Sequence, residues 1–315
     1  MSNYLWQSDR PYNAYSNYMR RYYGERIQKL SIDAGFSCPN RDGKLSTGGC
    51  TFCSNEAFNP SYCRNFPSIT EQISEGIKFH QWRYKKVHKY LAYFQAYSNT
   101  YAPIEVMKER YEEALACEGI CGLVIGTRPD CVDEEKLSYL EELSKKYHIV
   151  IEFGIESCYD ETLKAINRGH DFACTKKAIE DCKKHGLKVG GHIIFGLPME
   201  TREQMLNEAE ILSSLPLDTV KFHQLQILKG TLMEKDYLAN PEKYTFFTFD
   251  EYKDFIISFL ENLNPNFVIE RFVSEVPPRY NASNNWGALR NESIVEEIEK
   301  EMIKRNTYQG INYKG

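Results

Sequence analysis

Apolar runs of strand length recur along the chain, and most are followed by a stretch with helical periodicity. The runs are rich in Ile, Val, Leu and Phe and do not alternate strictly with polar residues, which is typical of parallel strands covered on both faces. The expected strands are 27–33, 91–97, 121–127, 149–157, 188–197 and 219–228, and 267–276 is a further candidate.

Several helical stretches begin or end at residues that cap helices. The pattern of Ser or Thr followed three residues later by Glu or Gln predicts helix starts at Ser68 and Thr201, and the first helix should run to about Arg83. Asp133 predicts a third start, and Gly186 a helix end. These capping residues indicate that helices lie between the expected strands.

Repeated strand–helix units imply right-handed crossovers and a parallel sheet. About six such units predict an α/β protein with a partial (β/α)6 barrel, and a doubly wound sheet is the alternative. We expect an N-terminal extension over residues 1–26, a core over 27–232 and a C-terminal extension over 233–315 with helices near 250–262 and 293–305. Reactive groups of such a barrel lie at the carboxyl ends of its strands.

Composition narrows the class of protein. The chain is 42% hydrophobic and 26% charged, which is ordinary for a globular protein. No apolar run approaches the roughly 18 residues that a membrane-spanning helix needs, and residues 1–10 lack the apolar core of an export signal. We therefore expect a soluble, cytoplasmic protein without a membrane partner, whose ten cysteines are thiols or metal ligands.

The net charge of −5 is unevenly distributed, since residues 1–92 carry +6 and the remainder −11. The first 23 residues also hold seven aromatic side chains: Tyr4, Trp6, Tyr12, Tyr15, Tyr18, Tyr22 and Tyr23. Basic charge interleaved with stacking side chains predicts a nucleic-acid surface. The alternative is an N-terminal helix whose tyrosines pack on the domain.

A glycine-rich loop after the first expected strand contains Cys38, Cys50 and Cys53. Thiolates are the ligands that suit Fe–S clusters and zinc. Three protein ligands on a four-iron cluster would leave one iron open. A structural zinc site, with Cys63 as a fourth ligand, is the alternative.

The other cysteines fall on expected helices or at strand ends, where cysteine is commonly a small buried hydrophobe. Cys117 and Cys121 are close enough in sequence to be candidate ligands of a second metal site.

The cysteine loop resembles the cluster motif of radical S-adenosylmethionine (SAM) enzymes. The resemblance implies a [4Fe–4S] cluster on Cys38, Cys50 and Cys53, whose open iron binds the amino and carboxylate groups of SAM, with Phe52 near the adenine. The common spacing is Cys-x3-Cys-x2-Cys, whereas this chain has Cys-x11-Cys-x2-Cys. Longer first spacers occur in the branch that resembles the elongator catalytic subunit.

Later strand ends resemble the same superfamily. Ser98 and Asn99 lie where relatives bind the SAM amino group, although the carboxylate of that motif has no counterpart here. Arg128, in a Thr-Arg-Pro-Asp motif, could grip a carboxylate of SAM or substrate, or instead pair with Asp130. Glu156 could accept the ribose hydroxyl protons.

Two further strand ends complete the expected SAM site. Gly196 begins a turn that could lie against the adenine, and Gln224 could pair with the base edge. His223 and Gln224 point to opposite faces of a strand, so at most one is expected to face the pocket. His170, in an Asn-Arg-Gly-His loop, is a candidate proton carrier or a structural residue.

Across nearly the whole chain the sequence is similar to the YtqA/YhcC-like group of this superfamily. The similarity implies a tRNA partner, an electron donor such as flavodoxin or ferredoxin, and conversion of 5-carboxymethylaminomethyl(-2-thio)uridine at the wobble position to the aminomethyl form. Two alternatives are a radical SAM enzyme acting on a small molecule or tetrapyrrole, and a non-catalytic metal-bearing RNA-binding module.

Overall fold

Seven strands form one parallel sheet in the computed structural model, which describes residues 4–66, 68–82, 87–283, 286 and 289–315. Each strand pairs with its neighbour in sequence, in the order β1 to β7. The strands are β1 (Ile27–Ile32), β2 (Lys89–Phe94), β3 (Ile120–Thr127), β4 (His148–Glu156), β5 (Lys188–Phe195), β6 (Thr219–Gln224) and β7 (Val268–Arg271). This sequential order confirms the α/β class and differs from that of a doubly wound sheet.

Twelve helices lie in the described part of the chain. They are α1 (Tyr15–Tyr23), α2 (Asn55–Phe58), α3 (Ser61–Asn65), α4 (Ile69–Gln81), α5 (Ile104–Leu115), α6 (Glu134–Ser144), α7 (Asp160–Ala165), α8 (Phe172–Lys184), α9 (Arg202–Ser213), α10 (Leu232–Ala239), α11 (Phe249–Asn262) and α12 (Asn291–Lys304). Short 3₁₀ turns cover Pro129–Cys131, Pro241–Lys243 and Pro278–Tyr280.

The predicted helix caps are present. Ser68 and Thr201 each form a capping box, and the Asp133 carboxylate accepts from the backbone of the first turn of α6. Gly186 follows α8 with φ of +68°, the left-handed conformation that favours glycine. Helix α4 ends at Gln81, and its expected end at Arg83 lies outside the described residues.

Strands β2 and β6 end three and four residues earlier than the hydrophobic runs predict. Leu225, Ile227 and Leu228 after β6 are buried like strand residues, yet they pack in the core beyond the paired ladder. The apolar run therefore continues past the end of the strand because the residues that follow it are buried as well.

The outer face of the sheet is apolar and covered by helices. Helix α5 packs against β3, α6 against β4, and α8 against β4 and β5. Outward side chains such as Leu30, Phe94, Ile151 and Phe222 are fully buried in one large core beneath these helices.

The inner face curls around a polar interior. The Lys29 ammonium on β1 lies 2.5 Å from the Glu270 carboxylate on β7, so the two edge strands approach each other across the concave side. Near the amino ends of the strands, Met19 of α1 packs with Leu91 and Val150 and closes that end. The sheet is therefore the expected partial barrel, extended by a seventh strand.

Most of the N-terminal aromatic side chains pack on the domain. Trp6 and Tyr12 are buried, and the Tyr12 ring meets Phe272 edge-on at 4.7 Å. Tyr22, in contrast, is 58% exposed. The packing alternative therefore accounts for the buried rings. None of the described helices is both long enough and apolar enough to cross a membrane.

Candidate active site

The cysteine loop after β1 is folded by its own backbone. The Arg41 amide donates to the carbonyl of Cys38 at 2.8 Å, and the Cys53 amide donates to that of Cys50 at 3.0 Å. Gly49 has φ of +75°. A side chain at that position would be strained and would lie 3.0 Å from the Arg41 side chain, so this turn needs glycine.

The loop is locked to the segment between α7 and α8. The Asn40 side-chain amide donates to the Asn167 carbonyl at 2.5 Å, and the Asn167 amide donates to the Gly49 carbonyl at 2.8 Å. Asn167 has φ of +54°, a left-handed conformation that asparagine tolerates better than most residues. The two asparagines therefore fix the cysteine loop against the core, a role that the sequence did not reveal.

The three loop cysteines border one cavity of about 240 Å³ at the carboxyl ends of the strands. Asn40 Nδ2 and Arg168 Nη1 each lie 3.5 Å from Cys50 Sγ, so this sulfur faces two donors, one of them cationic. Burial, together with the neighbouring Cys50 thiol, raises the pKa of Cys53 to about 11 although Arg41 opposes the shift. Positive donors of this kind suit sulfur ligands that carry negative charge in a cluster.

The geometry of the thiols bears on the kind of metal site. Within the described residues, no three His, Cys, Asp or Glu side chains converge closely enough to hold a single metal ion. A four-iron cluster is larger than one ion, so three cysteines around a shared cavity fit it without meeting at one point.

The other candidate cysteine ligands point elsewhere. The Cys63 thiol donates to the Ser31 carbonyl at 3.2 Å and is not part of the cavity wall. Cys117 packs against the large core under the helices, whereas Cys121 packs against the small cluster beside α1. Neither the Cys63 zinc alternative nor a Cys117–Cys121 site is supported by this arrangement.

Five of the residues expected to bind SAM border the cavity: Phe52, Ser98, Arg128, Glu156 and Gln224. Ser98 Oγ and Arg128 Nη1 are buried and have no hydrogen-bond partner in the described part of the chain. Buried polar atoms are almost always paired, so orphaned atoms beside a cavity are ones that a ligand would satisfy.

Arg128 also forms the ion pair with Asp130 that the sequence offered as the alternative to ligand binding. Its Nε and Nη2 atoms donate to the two carboxylate oxygens of Asp130, both at 2.8 Å. The Arg128 side chain is only 3% exposed, so the arginine end of this pair is buried. Asp130 thus holds two guanidinium nitrogens in place while Nη1 stays available.

Glu156 ends β4 in a strained conformation. Its φ is +68°, and the pairing of β4 with β5 shifts register between Gly154 and Glu156. Its carboxylate lies 3.6 Å from Arg168 Nη2, which also donates to the Gly154 carbonyl at 2.5 Å. A side chain at Gly154 would lie 2.3 Å from the Glu156 carboxylate and 2.7 Å from Arg168 Nη2, so it would displace this ion pair. Backbone strain of this kind is concentrated at functional sites.

From the sequence, Arg168 is recognisable only as part of the Asn-Arg-Gly-His loop. In the structure its guanidinium lies between Cys50 and Glu156, the two groups expected to hold different cofactors. Interaction with both groups, despite burial, raises the pKa of Arg168 and keeps it charged.

Three expected site residues have other surroundings. The Asn99 side-chain amide donates to the carbonyls of Phe94 and Gly126, tying the ends of β2 and β3 together outside the cavity wall. Gly196 borders a second, smaller cavity. His170 is also absent from the main cavity wall, and burial, with Arg168 nearby, lowers its pKa to about 4.

The expectation that only one of His223 and Gln224 faces the pocket is wrong, because both border the cavity. Gln224 is the last residue of β6, where the strict alternation of a strand stops. Its amide group is bonded on both sides to the backbone of Ser274, at 3.0 and 3.1 Å.

A buried charged cluster on the inner face was not predicted. The Glu152 carboxylate accepts from Lys221 at 2.6 Å, from Lys29 at 2.8 Å and from His192 at 3.0 Å, and Lys221 also lies 3.0 Å from Glu270. Burial alone would raise the pKa of Glu152, but the two ammonium groups hold it well below its usual range. We call Lys29, Glu152, His192, Lys221 and Glu270 the inner charged cluster.

Known proteins resemble this chain at several levels. The family model described as the radical SAM superfamily matches residues 43–212, and that of the radical SAM C-terminal domain matches residues 217–304. YtqA of Bacillus subtilis (strain 168), a protein described as uncharacterized, is 35% identical over 303 residues, which are 96% of this chain and 93% of YtqA.

More distant relatives cover less of their own length. The tRNA uridine(34) acetyltransferase of Methanocaldococcus jannaschii is 27% identical over 199 residues, 60% of this chain and 34% of that protein. The archaeal Methanocaldococcus infernus Elp3 structure superposes with a TM-score of 0.66 at 18% identity, over 90% of this chain and 64% of that one. This last likeness shows the fold.

The matched superfamily model spans more than half of the chain, and YtqA is similar over nearly all of it. Both findings agree with a parallel half-barrel that carries three cysteines at the carboxyl ends of its strands. The chain belongs to the radical SAM superfamily.

Proposed function

We propose that this enzyme holds its [4Fe–4S] cluster through Cys38, Cys50 and Cys53 and modifies a uridine of tRNA. Radical SAM enzymes use a [4Fe–4S] cluster and SAM. When bound, these groups supply a 5′-deoxyadenosyl radical that takes a hydrogen atom from an unactivated C–H bond. The proposal depends above all on one cavity that is bordered by three cysteine thiols and by the orphaned polar atoms of Ser98 and Arg128.

The residues of this chain bind and orient SAM on the cysteine side of the cavity. Phe52 precedes Cys53 at the cavity wall and would pack near the adenine. Ser98 and Arg128 direct their unpaired polar atoms at the amino acid part of SAM. Glu156, whose carboxylate lies 3.6 Å from Arg168 Nη2, would accept hydrogen bonds from the ribose hydroxyls.

The remaining predicted residues shape the wall. Asn99 fixes the ends of β2 and β3, on which Ser98 and Arg128 depend. Gln224 is held by Ser274 and presents the edge of β6 to the base. Gly196 forms the turn after β5, where its φ of +94° suits glycine.

The substrate in this proposal is the wobble uridine of tRNA with a 5-carboxymethylaminomethyl group, which becomes 5-aminomethyl. The tRNA uridine(34) acetyltransferase relative and the +6 charge of residues 1–92 support an RNA substrate. Removal of a hydrogen atom from the methylene between the amine and the carboxylate, transfer of one further electron to a one-electron redox partner, and addition of water to the resulting imine would release the carboxymethyl group as glyoxylate and leave the amine. An electron donor such as flavodoxin or ferredoxin would reduce the cluster.

Cofactor use is tested with anaerobically purified protein. We expect about four iron and four acid-labile sulfide atoms per chain, which corresponds to one [4Fe–4S] cluster. We also expect an EPR signal after reduction, and release of 5′-deoxyadenosine with dithionite and SAM. Zinc without iron, or SAM that stays intact, would contradict the enzymatic proposal and favour a metal-bearing RNA-binding module.

The substrate is tested by mass spectrometry of nucleosides. Cells that lack the gene should accumulate 5-carboxymethylaminomethyluridine at the expense of 5-aminomethyluridine in tRNA, and purified enzyme should convert that tRNA. Unchanged wobble uridines, together with SAM cleavage that tRNA does not stimulate, would instead indicate a small molecule or tetrapyrrole substrate.

A further inference from the structure

A bulge in the last strand brings two consecutive charged residues to the interior of the barrel. The pairing of β6 with β7 shifts register so that Val220 faces Ile269 and Lys221 faces Arg271, which leaves Glu270 as the extra residue. Glu270 joins the inner charged cluster, and Arg271 borders the cavity. Bulges of this kind redirect side chains next to active sites.

Arg271 differs from the other cations of the cavity wall in its partners. Lys221 is paired with Glu152 and Glu270, and Arg168 with Glu156. Arg128 is likewise paired with Asp130. For Arg271, the described residues provide neither a salt bridge nor a side-chain hydrogen bond.

The neighbour of Arg271 is also short of a partner. His223 Nε2 is buried without a hydrogen-bond partner in the described part of the chain. Burial, followed by the positive charge of Arg271, lowers the pKa of His223 well below its usual value, so the ring is neutral at pH 7. A neutral ring can donate one N–H to an anion without adding charge.

A guanidinium without a partner among the described residues, beside a buried orphan nitrogen, is available to an anionic ligand. Guanidinium groups bind carboxylates through two parallel N–H···O bonds. The groups that we assign to the amino acid part and the ribose of SAM lie at the ends of β2 to β4, and Gln224, assigned to the base, is held by Ser274, whereas Arg271 lies on β7 at the edge of the sheet. The two groups therefore serve different ligands.

We propose that Arg271, with His223 beside it, binds the carboxylate of the substrate's carboxymethyl group. The assignment rests on the proposed function, because that function supplies a substrate with one carboxylate on the group to be removed. The contact would select the carboxymethylaminomethyl form over the aminomethyl product, which lacks a carboxylate.

The test compares two anticodon stem-loop RNAs, one with 5-carboxymethylaminomethyluridine and one with its methyl ester. In binding measurements without SAM, the wild-type protein should bind the acid RNA about 30-fold more tightly than the ester RNA, as expected for a charged hydrogen-bonded pair. The same preference should appear in turnover. Arg271→Gln should bind both RNAs equally, and Arg271→Lys should retain part of the preference. Arg279→Gln, which removes an exposed arginine, should behave as wild type.

The outcomes separate the two proposals. Arg271→Gln should keep the wild-type iron content and circular dichroism spectrum, which shows that the protein folds with its cluster. If wild type turns over the acid but Arg271→Gln keeps the full preference, the carboxylate site is wrong and the function stands. An Arg271-dependent preference in binding without any turnover would overturn the function alone. If wild type neither turns over the RNA nor prefers the acid, both the carboxylate site and the proposed function are wrong. This outcome needs only the wild-type protein, so it can be read even if Arg271→Gln does not fold.

Discussion

The two faces of the sheet are both buried, yet they are built from different chemistry. The outer face presents residues such as Leu30, Ile151 and Phe222 to the covering helices. The inner face presents the inner charged cluster and the cavity. The outer face gains stability from apolar area that could be supplied by many sequences. The inner face depends on specific partners, because a buried charge is tolerated only when it is paired.

Two buried glutamates make the difference concrete. Glu152, on the inner face, is surrounded by cations and has a lowered pKa. Glu208, on α9 at the outer side, accepts from the Cys158 amide at 2.7 Å but forms no salt bridge with any described residue. Burial, followed by the nearby Glu200 carboxylate, raises the pKa of Glu208 well above its usual value. The pKa of the same kind of side chain is thus lowered on one face and raised on the other.

The largest effect is expected at the open end of the inner face. Cys53→Ala should remove the cluster and lower formation of 5′-deoxyadenosine by about 10³-fold or more, since SAM cleavage depends on the cluster. The protein should still fold, because the outer core is unchanged. Iron content, circular dichroism and product formation are the measurements.

Cys117→Ala is the matched control for that variant, since Cys117 lies on the outer side. It should keep wild-type iron content and SAM cleavage. A Cys53→Ala protein that retains a full complement of iron would show that the three loop cysteines are not the ligand set.

Two neighbouring residues of β4 point to opposite faces of the sheet, so substitutions there compare how much each face contributes to the free energy of unfolding. Glu152→Gln leaves the two buried ammonium groups of Lys29 and Lys221 with one shared carboxylate, that of Glu270, and should lower the free energy of unfolding by about 3–5 kcal/mol. Ile151→Val removes one methyl group from the outer core and should cost about 0.5–1.5 kcal/mol. Urea unfolding at pH 7 gives both values. Equal losses would mean that the charged cluster is no more demanding than ordinary packing.

Acid should weaken the same contribution in wild type. The pKa of Glu152 is lowered on folding, so its contribution is present above the ordinary value of 4.5 and is lost as the pH falls further. In Glu152→Gln that part of the acid sensitivity should be absent. An unchanged slope of stability against pH below 4.5 would contradict the assignment.

The outer-side glutamate should respond in the opposite direction. Because its pKa is raised on folding, stability is greatest below the ordinary value of 4.5 and falls as the pH rises toward the folded pKa. Glu208→Gln should therefore stabilise the protein at pH 8 by about 1–3 kcal/mol, the cost of a buried polar group without a partner. The gain should shrink toward pH 5, as measured by urea unfolding. A gain that does not vary with pH would contradict the raised pKa of Glu208.

The same contrast explains what the sequence could predict. The outer face follows from hydrophobic periodicity, so the strand containing Ile151 was located within one residue at each end. The cysteines were identifiable because soft ligands on a glycine-rich loop have few other uses. Lys29 and Glu152, in contrast, look like isolated polar residues 123 positions apart, and only the curl of the sheet joins them.

Contacts made through loops were also hidden. Asn40 and Asn167 gave no signal beyond their place in motifs, because their amides bond to backbone groups of each other's loops. Arg271 gave none either, since its inward position results from a one-residue bulge that periodicity cannot reveal. Prediction therefore ended where partners come from distant segments.

The smallest expected effect lies at the outer surface, at the start of α9. Thr201 Oγ1 accepts from the Gln204 amide at 3.1 Å, and Gln204 Oε1 accepts from the Thr201 amide at 2.9 Å. Thr201→Ala should cost about 1 kcal/mol of stability, whereas Thr201→Ser should cost less because it keeps the acceptor. Neither change should alter SAM cleavage, since the helix supports only the outer core. A loss of activity larger than the loss of folded protein would mean that the two faces are coupled, and that the outer face does more than support the sheet.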